Sequence, residues 1–226
     1  TAPTDSSAVQ AVLRSASTRL EALDSAVQTE EEELSPAWDA KADAADLEGA
    51  EVEASRACWN ALVDQSRGLQ REIAKTTELF EIAASASWAR ALQPLVQAEL
   101  VRTCARCNGT LTPTPAHITC NVTCALCGAA STFEVGMATA LYYASGVYNL
   151  AREQAADAWA AQYDAEKWLR DIRGPSATER GRYLGAVRHY WTTLFTAFAP
   201  MHPGMDRTIE EAVAGKMKPY EDRMRD

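Results

Sequence analysis

The sequence predicts a mainly α protein, an elongated helical hairpin or bundle with one small β unit inserted. Three observations predict it. Ala, the strongest helix former, supplies 43 of the 226 residues. Apolar residues recur at steps of three and four over most of the chain, the signature of amphipathic helices. Between residues 101 and 135 that pattern stops, and Thr, Pro, Gly and β-branched residues replace Ala and Glu.

The elements follow in order. Val9, Val12, Leu13, Ala16, Leu20, Leu23 and Val27 mark one face of a first helix over residues 6–34, with Ser6 or Ser7 as its cap. The run Glu30-Glu31-Glu32-Glu33 weakens it, and Ser35-Pro36 is the expected stop. Pro36 suits the first turn of a second helix, with Ser35 as cap. There Trp38, Ala45, Val52, Trp59, Ser66, Ile73 and Phe80 recur every seven residues. Leu62, Leu69 and Ala83 fall three after members of that series, which gives a coiled-coil-like seam. A run of about 55 helical residues would span about 80 Å, so a break at Gly49 or Gly68 or an elongated shape is expected. Pro94 should kink the helix or begin a new segment.

Within the insert, Ile118, Cys120 and Val122 alternate with Thr119, Asn121 and Thr123, and Thr132–Val135 is a second strand candidate. Helices resume near 136. Met137, Leu141, Ala144, Tyr148, Ala151, Ala155, Ala158 and Trp159 form a stripe expected to run to Arg173. Gly174-Pro175 breaks it and Ser176 caps the next helix, whose face is Tyr183, Leu184, Val187, Tyr190, Trp191, Leu194, Phe195 and Phe198. Pro200, Pro203 and Gly204 end it. A last helix carries Met205, Ile209, Ala212, Val213, Met217 and Tyr220, with Pro219 near its end. The expected domains are a hairpin over 1–100, the β unit over 101–135, and a helical segment over 136–226 packing back on the N-terminal helices.

The net charge of −9 is uneven. Residues 1–100 carry 8 basic and 18 acidic groups, so this half repels a phosphate backbone and opposes direct nucleic-acid binding. The insert has only Arg102 and Arg106 as cations. No apolar run reaches the roughly 18 residues of a membrane span. No signal peptide is visible, and a cytoplasmic protein is the expectation.

Five of the six Cys lie in the insert, as Cys104-x2-Cys107, then 16 residues, then Cys124-x2-Cys127, with Cys120 between them; the sixth is Cys58. Two residues between thiolates let one tight turn aim both sulfurs at one ion. Gly109 and Gly128 fit the backbone turns beside the pairs. Four thiolates close a tetrahedron, so one structural zinc per chain, bound by Cys104, Cys107, Cys124 and Cys127, can hold a β unit too small to bury a core. These segments, Cys104-Ala-Arg-Cys107-Asn-Gly-Thr-Leu and Ile-Thr-Cys-Asn-Val-Thr-Cys124-Ala-Leu-Cys127-Gly-Ala, resemble the two knuckles of the zinc-ribbon group over about 35 residues. The resemblance implies fold and metal and is silent on activity. Rival sets use the same residues: Cys120-x3-Cys124-x2-Cys127 has the cluster-binding spacing of radical S-adenosylmethionine enzymes, and His117 could replace a thiol.

No nucleophile, phosphate-binding or dinucleotide motif occurs, and His117, His189 and His202 lack metal-ligand spacing. Paired carboxylates such as Glu210 and Glu211 read as helix charge, and the six Trp as core anchors. The expected function is therefore a non-enzymatic interaction or scaffold protein, partnered by other proteins or by itself within a larger assembly. Two alternatives stand beside it. Asp39, Asp43 and Asp46 near a hairpin turn resemble the acidic tip of the DksA/TraR type of transcription regulator, which implies binding to RNA polymerase. That family's tip, Asp-x2-Asp-x-Ala, is Asp43-Ala-Ala-Asp46-Leu-Glu48 here, and about 90 helical residues follow the finger where that family nearly ends. The other alternative is a cysteine-based redox or iron–sulfur enzyme.

Overall fold

The structure, a computed structural model, describes residues 6–44, 50–111, 119–172, 174–202, 205 and 207–224. It is mainly α, and the chain divides into two compact units, residues 5–81 and residues 82–226.

The first unit holds helix α1 (Ser6–Ala44) and residues 50–81 of helix α2 (Ala50–Leu100). Trp38, near the end of α1, stacks on Trp59, near the start of α2, with centroids 5.8 Å apart, so the two helices run antiparallel. This corrects the expected boundary. α1 does not stop at Ser35-Pro36 but carries Pro36 inside it and runs on to Ala44. An interior proline costs about 3 kcal/mol of helix stability. The Trp38–Trp59 stack, made by the helical residues just beyond Pro36, offsets part of that cost. The heptad series is thereby divided between two helices. α2 passes through Gly68 and Pro94 without ending. Gly49, Asp46 and Glu48 lie outside the described residues.

Packing among the described side chains of this unit is thin. Ile73 is its one buried hydrophobic side chain among those described, while Leu23, Leu34, Leu62 and Leu69 are 44% to 48% exposed.

The second unit is built on residues 82–100 of α2. Two antiparallel hairpins follow: β1 (Arg102–Thr103) with β2 (Thr110–Leu111), then β3 (Thr119–Thr123) with β4 (Ala130–Glu134). Helices α3 (Met137–Leu141), α4 (Val147–Gln154), α5 (Ala156–Asp171), α6 (Ala177–Phe198) and α7 (Ile209–Arg223) complete it. One π-helical turn, Tyr142–Gly146, joins α3 to α4. Ala86, Ala89 and Val96 of α2 pack on Tyr142, Val147 and Leu150. Ala151, Ala155 and Ala158 meet Tyr190 and Leu194 of α6. Leu169, Tyr183 and Val187 enclose Val213 and Met217 of α7. Small Ala side chains on one helix let the large aromatics of the next sit close, which is how an Ala-rich chain fills a core. The predicted face of α6 stands, and Ser176 caps it in a capping box with Glu179. Thr208 and Glu211 make the same box on α7, which gives Glu211 a structural task. Five Trp are half-buried and Trp168 is exposed, with the Arg182 guanidinium 5.5 Å from its ring centre.

The stripe after residue 136 is corrected. Met137, Leu141, Ala144 and Tyr148 face outward, and Met137 is 74% exposed. Thr139, Tyr142, Gly146 and Val147 face inward instead. The cause is Glu99, one residue before the end of α2. Its carboxylate accepts the backbone N–H groups of Ala138 (3.3 Å) and Thr139 (2.9 Å) and the Thr139 hydroxyl (2.7 Å). A carboxylate from another helix thus caps the first turn of α3, whose own N-cap position is Gly136. Drawing Thr139 inward rotates Met137 and Leu141 out. The π turn then adds one residue and carries the inward face on to Val147, Leu150 and Ala151. The helix also bends at Ala155, whose N–H is shared between the carbonyls of Ala151 and Arg152, both at 3.1 Å. Arg173, its expected end, lies outside the described residues.

A Cβ on Gly136 would fall 2.1 Å from Glu99 Cδ, so any side chain there displaces the carboxylate. Gly136→Ala should cost about 1–3 kcal/mol in urea unfolding. The same cap gives a pH signature. The Thr139 hydroxyl, with the Thr139 and Ala138 N–H groups, holds the Glu99 carboxyl below its ordinary 4.5. A group lowered on folding stabilises above its unfolded value and loses that contribution as pH falls through the folded one. The gap between wild type and Gly136→Ala should therefore be full at pH 6 and narrow below about pH 4.

Candidate metal centre

The two hairpins present two knuckles of the same construction. In the first, the Asn108 N–H donates to the Cys104 carbonyl (2.8 Å) and the Cys104 N–H to the Gly109 carbonyl (2.7 Å). In the second, the Gly128 N–H donates to the Cys124 carbonyl and the Cys124 N–H to the Ala129 carbonyl, both at 2.9 Å. Each turn closes through a residue in the left-handed region, Asn108 at φ 56° and Gly128 at φ 70°. Asn and Gly are the residues that accept this conformation most readily.

This alters the role expected of Gly109. It is not the left-handed residue of its knuckle; Asn108 is. Gly109 serves close approach, since a Cβ there would lie 2.7 Å from Leu126 Cδ1 and 3.3 Å from Cys107 Sγ. The knuckles meet face to face across that missing side chain. The signal was present in the sequence, because both Cys-x2-Cys pairs are followed directly by a residue that tolerates positive φ.

The thiols of Cys104, Cys107, Cys124 and Cys127 all lie within 4.8 Å of one another. Cys104 Sγ is 3.7 Å from Cys127 Sγ, and Cys107 Sγ is 3.5 Å from Cys124 Sγ. Each close pair joins one knuckle to the other, so four sulfurs stand close enough to share one ion. Cys104 and Cys124 are buried with Leu111, flanked by Val122 and Ala129. Cys127 is half-buried and Cys107 exposed. The Arg102 guanidinium lies 5.2 Å from the Phe133 ring centre and ties β1 to β4.

The first cysteine of each knuckle is held as the better thiolate. Backbone N–H groups of Arg106 and Cys107 lower Cys104. Those of Cys127 and Leu126 bring Cys124 down to about 6. At Cys107 the Gly109 N–H pulls downward, but the Cys124 and Cys127 sulfurs outweigh it and push the thiol up to about 12. At Cys127 the Ala129 N–H also pulls downward, against burial and the Cys104 sulfur, and the net direction is upward. Four negative sulfurs at this spacing cannot coexist without positive charge among them. The donor set is that of a soft or borderline cation.

The remaining residues singled out from the sequence stand apart from this chemistry. Cys120 pairs opposite Phe133 in the β3–β4 register, and its side chain and His117 lie outside the described residues. Cys58 is exposed on α2, in the first unit. His189 is exposed. His202 stacks on Phe198 at 4.9 Å, an aromatic packing role. Among the described residues no other group of His, Cys, Asp and Glu converges as the four thiols do.

No protein-family model, curated protein or solved structure matches the chain. Among the described residues no helix is long and apolar enough to cross a membrane.

The knuckle geometry makes a specific demand. Gly128→Val would force a β-branched residue to φ 70° and should cost about 1–3 kcal/mol locally. Amide exchange over residues 124–129 should accelerate about tenfold or more, while Asn108→Gly leaves residues 104–109 within about twofold of wild type.

Proposed function

We propose that the protein is a non-enzymatic interaction or scaffold subunit whose insert is a zinc ribbon, with one structural zinc held by Cys104, Cys107, Cys124 and Cys127. The supporting observation is the spacing of the sulfurs. Zinc–thiolate bonds of about 2.3 Å in a tetrahedron place sulfurs about 3.8 Å apart. The inter-knuckle pairs stand at 3.7 and 3.5 Å, close to that edge. Zinc supplies the positive charge that lets all four thiols ionise. It also supplies folding energy that hairpins with two- and five-residue strands cannot obtain from burial.

A site closed by four thiolates has no position left for water or substrate, so its expected task is architectural. Iron would occupy the same sulfurs, and the Cys-x2-Cys, 16-residue, Cys-x2-Cys spacing is what favours zinc. The interaction reading draws on the side chains left outside: Leu126, between the second pair of cysteines, is 79% exposed, and Met137 is 74% exposed. Exposed apolar side chains of this size offer surface for a partner, and contiguity with other apolar surface is what marks a binding site.

Native mass spectrometry of the protein from its own source tests both parts. One zinc per chain within a larger assembly is the expected result; a monomer carrying iron, or no metal, overturns it. Cys104→Ser or Cys127→Ser should abolish stoichiometric zinc and unprotect residues 102–134 in amide exchange. The far-ultraviolet circular dichroism should keep most of its helical signal, and a general helical collapse would contradict an inserted ribbon.

A further inference from the structure

We infer that the α1–α2 hairpin is a self-association surface, covered in solution by the same hairpin of a second copy in antiparallel array, giving a four-helix bundle. This deepens the interaction reading above and rests on it. The first observation is an unfilled groove of about 330 Å³ along the hairpin, floored by Val27, Leu34, Trp59, Leu62, Val63 and Leu69. The second is that Ile73 alone is buried among the described side chains of this unit, with four leucines left 44% to 48% exposed. The described side chains of the two helices therefore leave most of their apolar surface open, and helical stability in proteins comes mainly from packing such a face. A second copy of the hairpin supplies a cover that matches this face in size and in charge.

The size fits. From Ala16 to Lys41 α1 rises about 38 Å, and two helices side by side are about 20 Å wide. One face then has a footprint of roughly 760 Å², of the same order as the roughly 800 Å² of accessible surface that each partner of a stable interface buries.

Charge selects the orientation. Residues 30–56, around the hairpin turn, carry ten acidic and two basic groups. Residues 6–29 and 57–81, toward the other end, carry six acidic and five basic groups, Arg14, Arg19 and Arg67 among them. Parallel pairing would set two strongly negative ends against each other; antiparallel pairing sets each against a nearly neutral, Arg-bearing end. The arrangement is self-complementary, as a two-fold interface requires.

The test uses the full chain with its metal, in reducing buffer because Cys58 is exposed. Sedimentation velocity from 1 to 100 µM at physiological salt should give a mass twice the 24.6 kDa of the chain. Leu62→Glu/Leu69→Glu should raise the dissociation constant at least 100-fold. Circular dichroism of that variant separates lost pairing from lost fold. Independently of any variant, amide protection over residues 23–34 and 59–69 of the wild type should increase with protein concentration. A 24.6 kDa species at 100 µM with concentration-independent exchange overturns the proposal. Were that monomer still recovered with other proteins, the groove would belong to a different partner and the interaction reading would survive. A dimer lacking zinc would leave this proposal standing and remove the metal from that reading.

Discussion

The carboxylate of Glu99 settles more of this structure than any other single group. It stands at the last turn of α2, immediately before the insert, and binds the first turn of α3, immediately after it. The chain leaves the helical body and returns to it through that one clamp. Because the acceptor is a carboxylate and the donors belong to a helix N-terminus, the contact joins a charge-assisted hydrogen bond to a favourable dipole. It also sets the rotation of α3, and with it which side chains after residue 136 enter the core. Gly136 is the geometric condition for all of this, since the carboxylate occupies the space of its missing side chain.

The insert obeys a different logic. Among the described residues its buried cluster is Cys104, Cys124 and Leu111, flanked by Val122, Cys127 and Ala129. Burial of so few atoms is a small fraction of the entropy of ordering more than twenty residues. The two knuckles answer by repetition. Each aims two sulfurs with the same pair of backbone hydrogen bonds, the same left-handed residue and the same lowering of its first thiol. The hairpins are thus shaped to bring four thiols to one point, close enough to share one ion.

Much of this was legible in the sequence, and what was not has physical reasons. The helical class, the face of α6, the cap at Ser176 and the four cysteines follow from local patterns: periodicity, capping chemistry and spacing. The end of α1 did not, because proline is a local stop signal and the Trp38–Trp59 stack that overrides it joins residues 21 apart. The inward face after residue 136 did not either. Counting apolar residues assigns Met137 and Leu141 to the core, whereas Thr139 enters it because Glu99, 40 residues earlier, satisfies its polar atoms. A π turn then shifts the register by one, and no periodic template contains that shift. Asn108 was readable by comparing the two knuckles, but a search for glycines passed over it.

The two halves of α2 have a consequence for how the chain is made. Helix formation is limited by its first turn, and residues 82–100 gain that turn from the core they help to build. Residues 50–81 can extend from it toward the N-terminus without a nucleus of their own. Synthesis runs the other way: residues 6–81 are made before Ile82 and the residues that follow it. At about 5–20 residues per second, the stretch from Ile82 to Leu100 takes about 1–4 s more to follow. Ten acidic groups against two basic ones around the hairpin turn give that early segment a net negative charge, which favours solubility.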